Sequence, residues 1–166
     1  MVTIQPSCRH KCAALAGNFD TPPPEPHLTS TAEQQQTARA ALGLPIDAAP
    51  VIFCPGAEYG PAKRWPIHHF AELARRIGAD GTSIWIVGSA KDREVGDAIA
   101  HQSDGTALNL CGRSSLEQAI DLLAGARAVV SNDSGLMHVA AALDRPLAAL
   151  YGSSSPGYTP PLSRHA

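Results

Sequence analysis

The sequence lacks any long hydrophobic run. No apolar stretch in its 166 residues approaches the ~20 residues that a membrane-spanning helix needs. Its first residues also lack the apolar core of a secretory signal peptide. From these two absences we expect a cytoplasmic protein without a transmembrane segment.

Neither sign of charge dominates the chain. Charged residues make up 17% and apolar residues 44%, and the formal net charge is −2. No arginine cluster or basic stripe is present, which argues against nucleic acid as a main partner. The balance is typical of a soluble globular protein, and the chain is long enough for one domain with a genuine core.

Cysteine is scarce, with four residues in the chain. Cys54 and Cys111 lie in or at the end of apolar runs, where they are most simply buried thiols. Cys8, His10 and Cys12 lie close together and suggest a metal site. No second pair of ligands follows at zinc spacing, so we expect no metal there.

The chain divides into three parts. Residues 1–28 are rich in proline and predict an irregular segment or linker. Residues 29–49 predict a helix and a connection, and Ser30 with Glu33 forms a capping-box signature at its start. Residues 50–166 form the main predicted domain, in which strands and helices alternate.

Five short, mostly apolar segments in this domain predict strands, the third of them more weakly than the others. They are residues 51–54, 83–87, 107–110, 128–131 and 147–151. Helical patterns separate them, and a second capping-box signature, Ser114 with Glu117, precedes one of these helices. Alternation at this spacing predicts parallel pairing, so we expect an α/β fold with an open, doubly wound sheet.

The least ordinary residues of the domain follow the ends of these strands. They are Gly56, Glu58, Tyr59 and Lys63; Ser89 and Asp92; Gly112, Arg113 and Ser114; residues 133–138; and residues 152–156. The carboxyl ends of parallel strands share one edge, so these loops should form one site. Lysine, a helix N-terminus and carboxylates suit the phosphates and ribose of a nucleotide.

The most informative segment is Asn132-Asp133-Ser134-Gly135-Leu136-Met137-His138. It leaves a predicted strand and turns at once into a predicted helix. Its free backbone N–H groups and the helix dipole would make a site for a phosphate or pyrophosphate. An ordinary helix cap is the alternative, since Asp and Ser cap many helices that bind nothing.

Two segments together closely resemble glycosyltransferase family 9. They are residues 55–66, PGAEYGPAKRWP, and residues 132–142, NDSGLMHVAAA; residues 88–92 and 151–156 fit the same pattern. The resemblance covers residues 50–166. It implies the Rossmann-like C-terminal half of a GT-B glycosyltransferase, the half that holds the sugar nucleotide.

The resemblance also implies an activity. Family members of this kind transfer L-glycero-D-manno-heptose from ADP-heptose to an inner-core heptose of lipopolysaccharide, with inversion and at the cytoplasmic face of the inner membrane. The chain has no Asp-x-Asp motif, so we expect no metal and no cofactor besides the donor substrate.

An N-terminal GT-B domain with the acceptor site and catalytic base is expected to be missing, and the C-terminus to be cut short. The chain alone should then be inactive, and peripheral membrane contact would come through the full enzyme.

The resemblance implies a set of donor-binding residues. They are Glu58, Lys63, Asp92, Ser114, Asp133, Ser134, Gly135, Leu136 and His138. Lys63 is expected to stabilise the leaving ADP, and its replacement by alanine should disturb folding little because it lies in a loop. Plainer alternatives are a solvated Lys63 and a helix-capping Asp133. Asp92, which aligns with a ribose-contacting acid, could serve only the helix dipole, and His138 could be a packed histidine.

Two functions of other classes stay open. A single sugar-nucleotide domain could be a binding module without catalysis, and transfer that requires an added N-terminal half would distinguish the two. A doubly wound sheet could also bind NAD in a dehydrogenase. No Gly-x-Gly-x-x-Gly motif follows the first strand, which argues against NAD.

Overall fold

The described residues form a five-stranded parallel sheet. The computed structural model describes residues 26–57, 61–157 and 160–162. Its strands are β1 (Val51–Cys54), β2 (Ile84–Ile86), β3 (Ala107–Asn109), β4 (Ala128–Asn132) and β5 (Leu147–Leu150). Their spatial order is β3-β2-β1-β4-β5, and every neighbouring pair is parallel. The chain therefore winds outward from β1 and then reverses to the other side of it, which confirms the predicted doubly wound sheet.

Five α-helices connect and flank these strands in the described part of the chain. They are α1 (Ala32–Ala41), α2 (Ile67–Gly78), α3 (Arg93–Gln102), α4 (Leu116–Ala124) and α5 (Gly135–Ala142). Short 3₁₀ turns at Pro61–Lys63 and Ala90–Asp92 precede α2 and α3. No helix in the described ranges is both long and apolar enough to cross a membrane.

Side chains of successive strand residues pack on opposite faces of the sheet. Phe53 packs on one face with residues of α2 and α3, including Phe70 and Ile99. Ile52 packs on the other face with residues of α4 and α5, including Leu122 and Met137. Both faces are therefore buried along β1 and β2, as in parallel sheets generally, and this explains why these two strands are continuous apolar runs.

The predicted capping box at the start of α1 is wrong by one residue. The N-cap is Thr31, whose Oγ1 accepts from the Gln34 N–H at 3.2 Å, while the Thr31 N–H donates to Gln34 Oε1 at 2.7 Å. Ser30 instead donates to Asp121 Oδ1 at 2.7 Å. Ser30 and Thr31 are adjacent, and so are Glu33 and Gln34, so two registers of the motif overlap in the sequence.

The same one-residue correction applies to α4. Its N-cap is Ser115, not Ser114, and the reciprocal partner is Gln118, not Glu117. The Gln118 N–H donates to Ser115 Oγ at 3.2 Å, and the Ser115 N–H donates to Gln118 Oε1 at 3.0 Å. Again two serines and two suitable partners stand side by side, and only tertiary packing selects one pair.

Candidate functional site

Loops at the carboxyl ends of β1, β2 and β3 pack against one another. A Cβ atom on Gly56, after β1, would lie 2.7 Å from Asp92 Oδ1, after β2. A Cβ atom on Gly112, after β3, would lie 2.8 Å from Cα of Ala90, and Gly112 has a φ of +71°. These glycines allow close approach between loops, and Gly112 also adopts a conformation that other residues rarely reach. The predicted common edge is confirmed for these loops.

The loops after β1 and β4 meet in an ion pair. Lys63, at the end of the 3₁₀ turn, places its Nζ atom 2.7 Å from Asp133 Oδ2. The Asp133 side chain is only 6% exposed, whereas the Lys63 side chain is 23% exposed. β1 and β4 are neighbouring parallel strands, with Cys54 opposite Ser131, so their loops leave the sheet side by side. The structure thus gives Lys63 a specific partner in place of a purely solvated position.

The N-terminus of α5 lies beside this ion pair. Its N-cap is Ser134, which follows Asp133 and makes no side-chain capping hydrogen bond. The Ser134 Oγ atom lies 3.3 Å from Ser131 Oγ instead. Gly135 is exposed, and a Cβ atom there would meet none of the described residues within 4 Å. The first turn therefore offers accessible backbone N–H groups at the positive end of the helix dipole.

Asn132 is a site residue whose role the sequence did not reveal. It is fully buried. Its Nδ2 donates to the carbonyl oxygen of Pro55 at 2.7 Å, and its Oδ1 accepts from the Trp65 N–H at 3.0 Å. One amide thus holds both ends of the loop that carries Lys63. An amide at the end of a buried strand is the sequence signal for such a role, because buried polar groups need partners.

The Asp92 carboxylate organises its own loop. Asp92 is buried, and its Oδ2 accepts from the Ser89 N–H at 2.9 Å and from Ser89 Oγ at 2.7 Å. A Cβ atom on Gly88 would lie 3.0 Å from this side chain. Contact between Asp92 and a ribose stays a prediction, and it would have to use the carboxylate's remaining acceptor capacity.

Asp133 also influences two titratable neighbours. Burial lowers the pKa of His138, one turn into α5, and the charge of Asp133 partly opposes this change. Burial raises the pKa of Tyr151, and Asp133 raises it further. The Tyr151 hydroxyl donates to Met137 Sδ at 3.5 Å. A neutral His138 can still form hydrogen bonds but adds no positive charge to the site.

The three remaining residues predicted to bind the donor do not lie together in one loop of the chain. Leu136 is half-buried in the first turn of α5, close in sequence to Asp133. Ser114 is half-buried in the loop after β3, directly before the N-cap of α4. Glu58 lies outside the described residues. The roles assigned to these residues in donor binding stay predictions.

Cys54 and Cys111 are buried free thiols, as predicted. Burial raises the pKa of the Cys54 thiol, and burial followed by the charge of Asp92 raises the pKa of the Cys111 thiol to about 12. Cys8, His10 and Cys12 lie outside the described residues. Within the described ranges, no three His, Cys, Asp or Glu side chains are grouped so that they could hold a metal ion.

Comparison with known proteins gives a consistent result. The profile of glycosyltransferase family 9 (heptosyltransferase) matches residues 5–166. The chain is 48% identical over 145 residues to lipopolysaccharide heptosyltransferase 2 of Salmonella typhimurium, and the aligned region covers 85% of this chain and 42% of that protein. It is 55% identical over 118 residues to lipopolysaccharide heptosyltransferase 2 of Escherichia coli K12, and here the aligned region covers 69% of this chain and 34% of that protein. The chain thus spans less than half the length of these curated relatives.

Solved structures share this fold. The structure of E. coli ADP-heptose lps heptosyltransferase II superposes with a TM-score of 0.80 at 48% identity, over 89% of this chain and 46% of that one. E. coli heptosyltransferase WaaC with ADP superposes with a TM-score of 0.70 at 27% identity, over 99% of this chain and 50% of that one.

Proposed function

This chain belongs to glycosyltransferase family 9, the heptosyltransferase family, and we propose that it is the donor-binding half of a lipopolysaccharide heptosyltransferase. The full enzyme would transfer L-glycero-D-manno-heptose from ADP-heptose to a heptose of the lipopolysaccharide inner core. The observation that carries this proposal is the Lys63–Asp133 pair beside the open N-terminus of α5. Relatives named lipopolysaccharide heptosyltransferase 2 support the choice of substrate class.

The geometry suits a diphosphate. A phosphate oxygen at the start of α5 would accept from backbone N–H groups near Gly135, which is exposed and has no side chain of its own. Lys63 is held nearby through Asp133 and would supply a positive charge. Because Asn132 fixes the loop that carries Lys63, this charge is positioned before the ligand arrives. Such preorganisation avoids an ordering cost during the reaction.

The same groups would assist the chemical step. As the bond between heptose and ADP breaks, negative charge builds on the departing diphosphate. Lys63 and the N–H groups of α5 would stabilise that charge, a task that a metal ion performs in other transferases. The acceptor hydroxyl and the base that removes its proton would come from the other domain of the full enzyme. We therefore assign Lys63 to the leaving group and assign the general base to none of these residues.

Binding and turnover measurements on this chain test the proposal. Titration calorimetry should detect ADP and ADP-heptose with similar weak affinity and should detect no comparable binding of a uridine diphosphate sugar. With ADP-heptose and a heptose-containing acceptor, the chain alone should release no ADP above background, because orientation and exclusion of water need both domains. Turnover by this chain alone would place a general base within it and contradict the division of roles. Absence of ADP binding would contradict donor binding.

A further inference from the structure

The turn after β5 contacts the backbone of the loop that carries Lys63. We propose that Gly152 is a positioning residue that fixes Lys63 opposite Asp133, acting through the backbone of Ala62. This rests on the proposed function of Lys63 and deepens it. It also gives the motif at residues 151–156 a role that requires no contact with ligand.

The first observation is the close approach of two backbones. A Cβ atom on Gly152 would lie 2.6 Å from the carbonyl oxygen of Ala62 and 3.6 Å from Cα of Lys63. The same Ala62 oxygen accepts a hydrogen bond from the Ser153 N–H at 3.3 Å. Because the obstructing atom belongs to the backbone, any side chain at position 152 requires one of the two turns to shift.

The second observation is that Asp133 also contacts the end of β5. The Asp133 N–H donates to the carbonyl oxygen of Leu150, two residues before Gly152, at 3.1 Å. The end of β5 therefore fixes both members of the ion pair, Asp133 through Leu150 and Lys63 through Ala62. The two backbone contacts thus adjoin the two residues whose Nζ and Oδ2 atoms lie 2.7 Å apart.

A side chain at position 152 should therefore separate the pair. Gly152→Ala would push the Pro61–Lys63 turn away from β5, while Asp133 keeps its bond to Leu150. The ammonium group of Lys63 would then lie off its position beside α5. Gly157→Ala is a matched control, because this glycine directly follows residues 151–156 and a Cβ atom there would meet, among the described residues, only Ser155 Oγ, at 3.4 Å.

A double-mutant cycle with ADP as the probe tests whether Gly152 acts through Lys63. Gly152→Ala should weaken ADP binding about tenfold in the parent chain and less than about twofold in a Lys63→Ala background. Gly157→Ala should leave the affinity within about twofold of the parent. Equal losses from Gly152→Ala in both backgrounds would overturn the inference, since Gly152 would then act without Lys63.

A measurement without nucleotide separates this inference from the proposed function. The sequence has three lysines, Lys11, Lys63 and Lys91. Acetylation by a trace of acetic anhydride, read by mass spectrometry, gives the rate at Lys63 relative to Lys91 in each variant. In Gly152→Ala, displacement of Lys63 from Asp133 should raise the Lys63-to-Lys91 rate ratio several-fold. In Gly157→Ala the ratio should be unchanged. An unchanged ratio in folded Gly152→Ala would overturn the positioning role, whereas a raised ratio without ADP binding by the parent would contradict only the proposed function.

Discussion

Lys63 Nζ and Asp133 Oδ2 lie 2.7 Å apart, although 70 positions separate the two residues in the chain. The parallel pairing of β1 with β4 brings them together. Asp133 is nearly buried and Lys63 is partly exposed, so the lysine is the member of the pair that a ligand could reach. A charge fixed in this way is suited to a ligand phosphate and costs little reorganisation when the ligand binds.

The ion pair gives Lys63→Ala a cost in folding as well as in binding. The substitution leaves the buried Asp133 carboxylate without its cation, which should lower the free energy of unfolding by about 1–3 kcal/mol. The double variant Lys63→Ala/Asp133→Asn should recover most of that loss, because it removes the buried charge, but should not recover ADP binding. Urea unfolding beside calorimetric titration checks both parts. Recovery of ADP binding in the double variant would show that Lys63 serves only to neutralise Asp133.

In a full-length enzyme that contains this half, Lys63→Ala should lower transfer about thirtyfold to thousandfold, which corresponds to ~2–4 kcal/mol of transition-state stabilisation. Lys63→Arg should recover only part, because a planar guanidinium does not occupy the point position of an ammonium. Steady-state kinetics of both variants, corrected for the folded fraction, checks this. Full activity in Lys63→Ala would remove Lys63 from the leaving-group role.

Asn132→Ala should loosen the whole loop between β1 and α2. It leaves the carbonyl oxygen of Pro55 and the N–H of Trp65 without their partner, at a cost of about 2–4 kcal/mol in the free energy of unfolding. Hydrogen exchange should show the Trp65 amide losing protection more than amides of α4, which lies on the other side of the fold. Uniform loss of protection in both places would indicate general destabilisation without a specific role in the loop.

The pKa of His138 predicts a pH effect on stability. Burial lowers this pKa below its ordinary value in the folded chain, so the unfolded chain takes up a proton first as pH falls. The stability that depends on a neutral His138 is therefore present above about pH 6.5 and is lost as pH falls from there through the folded pKa. His138→Gln should flatten this part of the stability profile. Asp133→Asn should lower the His138 pKa further, as proton NMR titration of the imidazole would show.

The buried thiols should be unreactive until the fold opens. In a Cys8→Ser/Cys12→Ser background, Cys54 and Cys111 should react with a disulfide reagent at the rate of unfolding, because burial raises both thiol pKa values and blocks access. Added urea should accelerate labelling in parallel with unfolding measured by fluorescence. Rapid labelling of either thiol in the native chain would contradict their burial.

Much of the fold follows from the pattern of the sequence. Apolar runs such as Val51–Cys54 alternate with helical patterns, and parallel strands joined by helices leave few possible topologies. Asp133 and Lys63 could be placed on one edge because each follows a predicted strand. The predicted range of β1 is the observed one, and the other four strands differ from their predicted ranges by one residue at one end or, for β2, at both ends.

Contacts between loops could not be predicted in this way. The side-chain amide of Asn132 forms hydrogen bonds with two residues at opposite ends of one loop, and no periodic pattern encodes that arrangement. Asp92 could be recognised as an acid near a helix start, but not as the acceptor for Ser89. The register of the cap at Thr31 depended on a choice between adjacent residues that differ little in propensity. These features depend on tertiary packing, which local sequence preferences do not contain.

Titration of ADP into this chain and into two single variants tests the central claim most directly. Lys63→Ala removes the cation paired with Asp133, whereas Arg127→Ala removes an exposed cation just before β4, at the opposite edge of the sheet. We expect the parent and Arg127→Ala to bind ADP with the same affinity and Lys63→Ala to bind at least about tenfold more weakly. Equal affinity in all three proteins, or loss of affinity in both variants alike, would contradict a diphosphate site at Lys63 and Asp133.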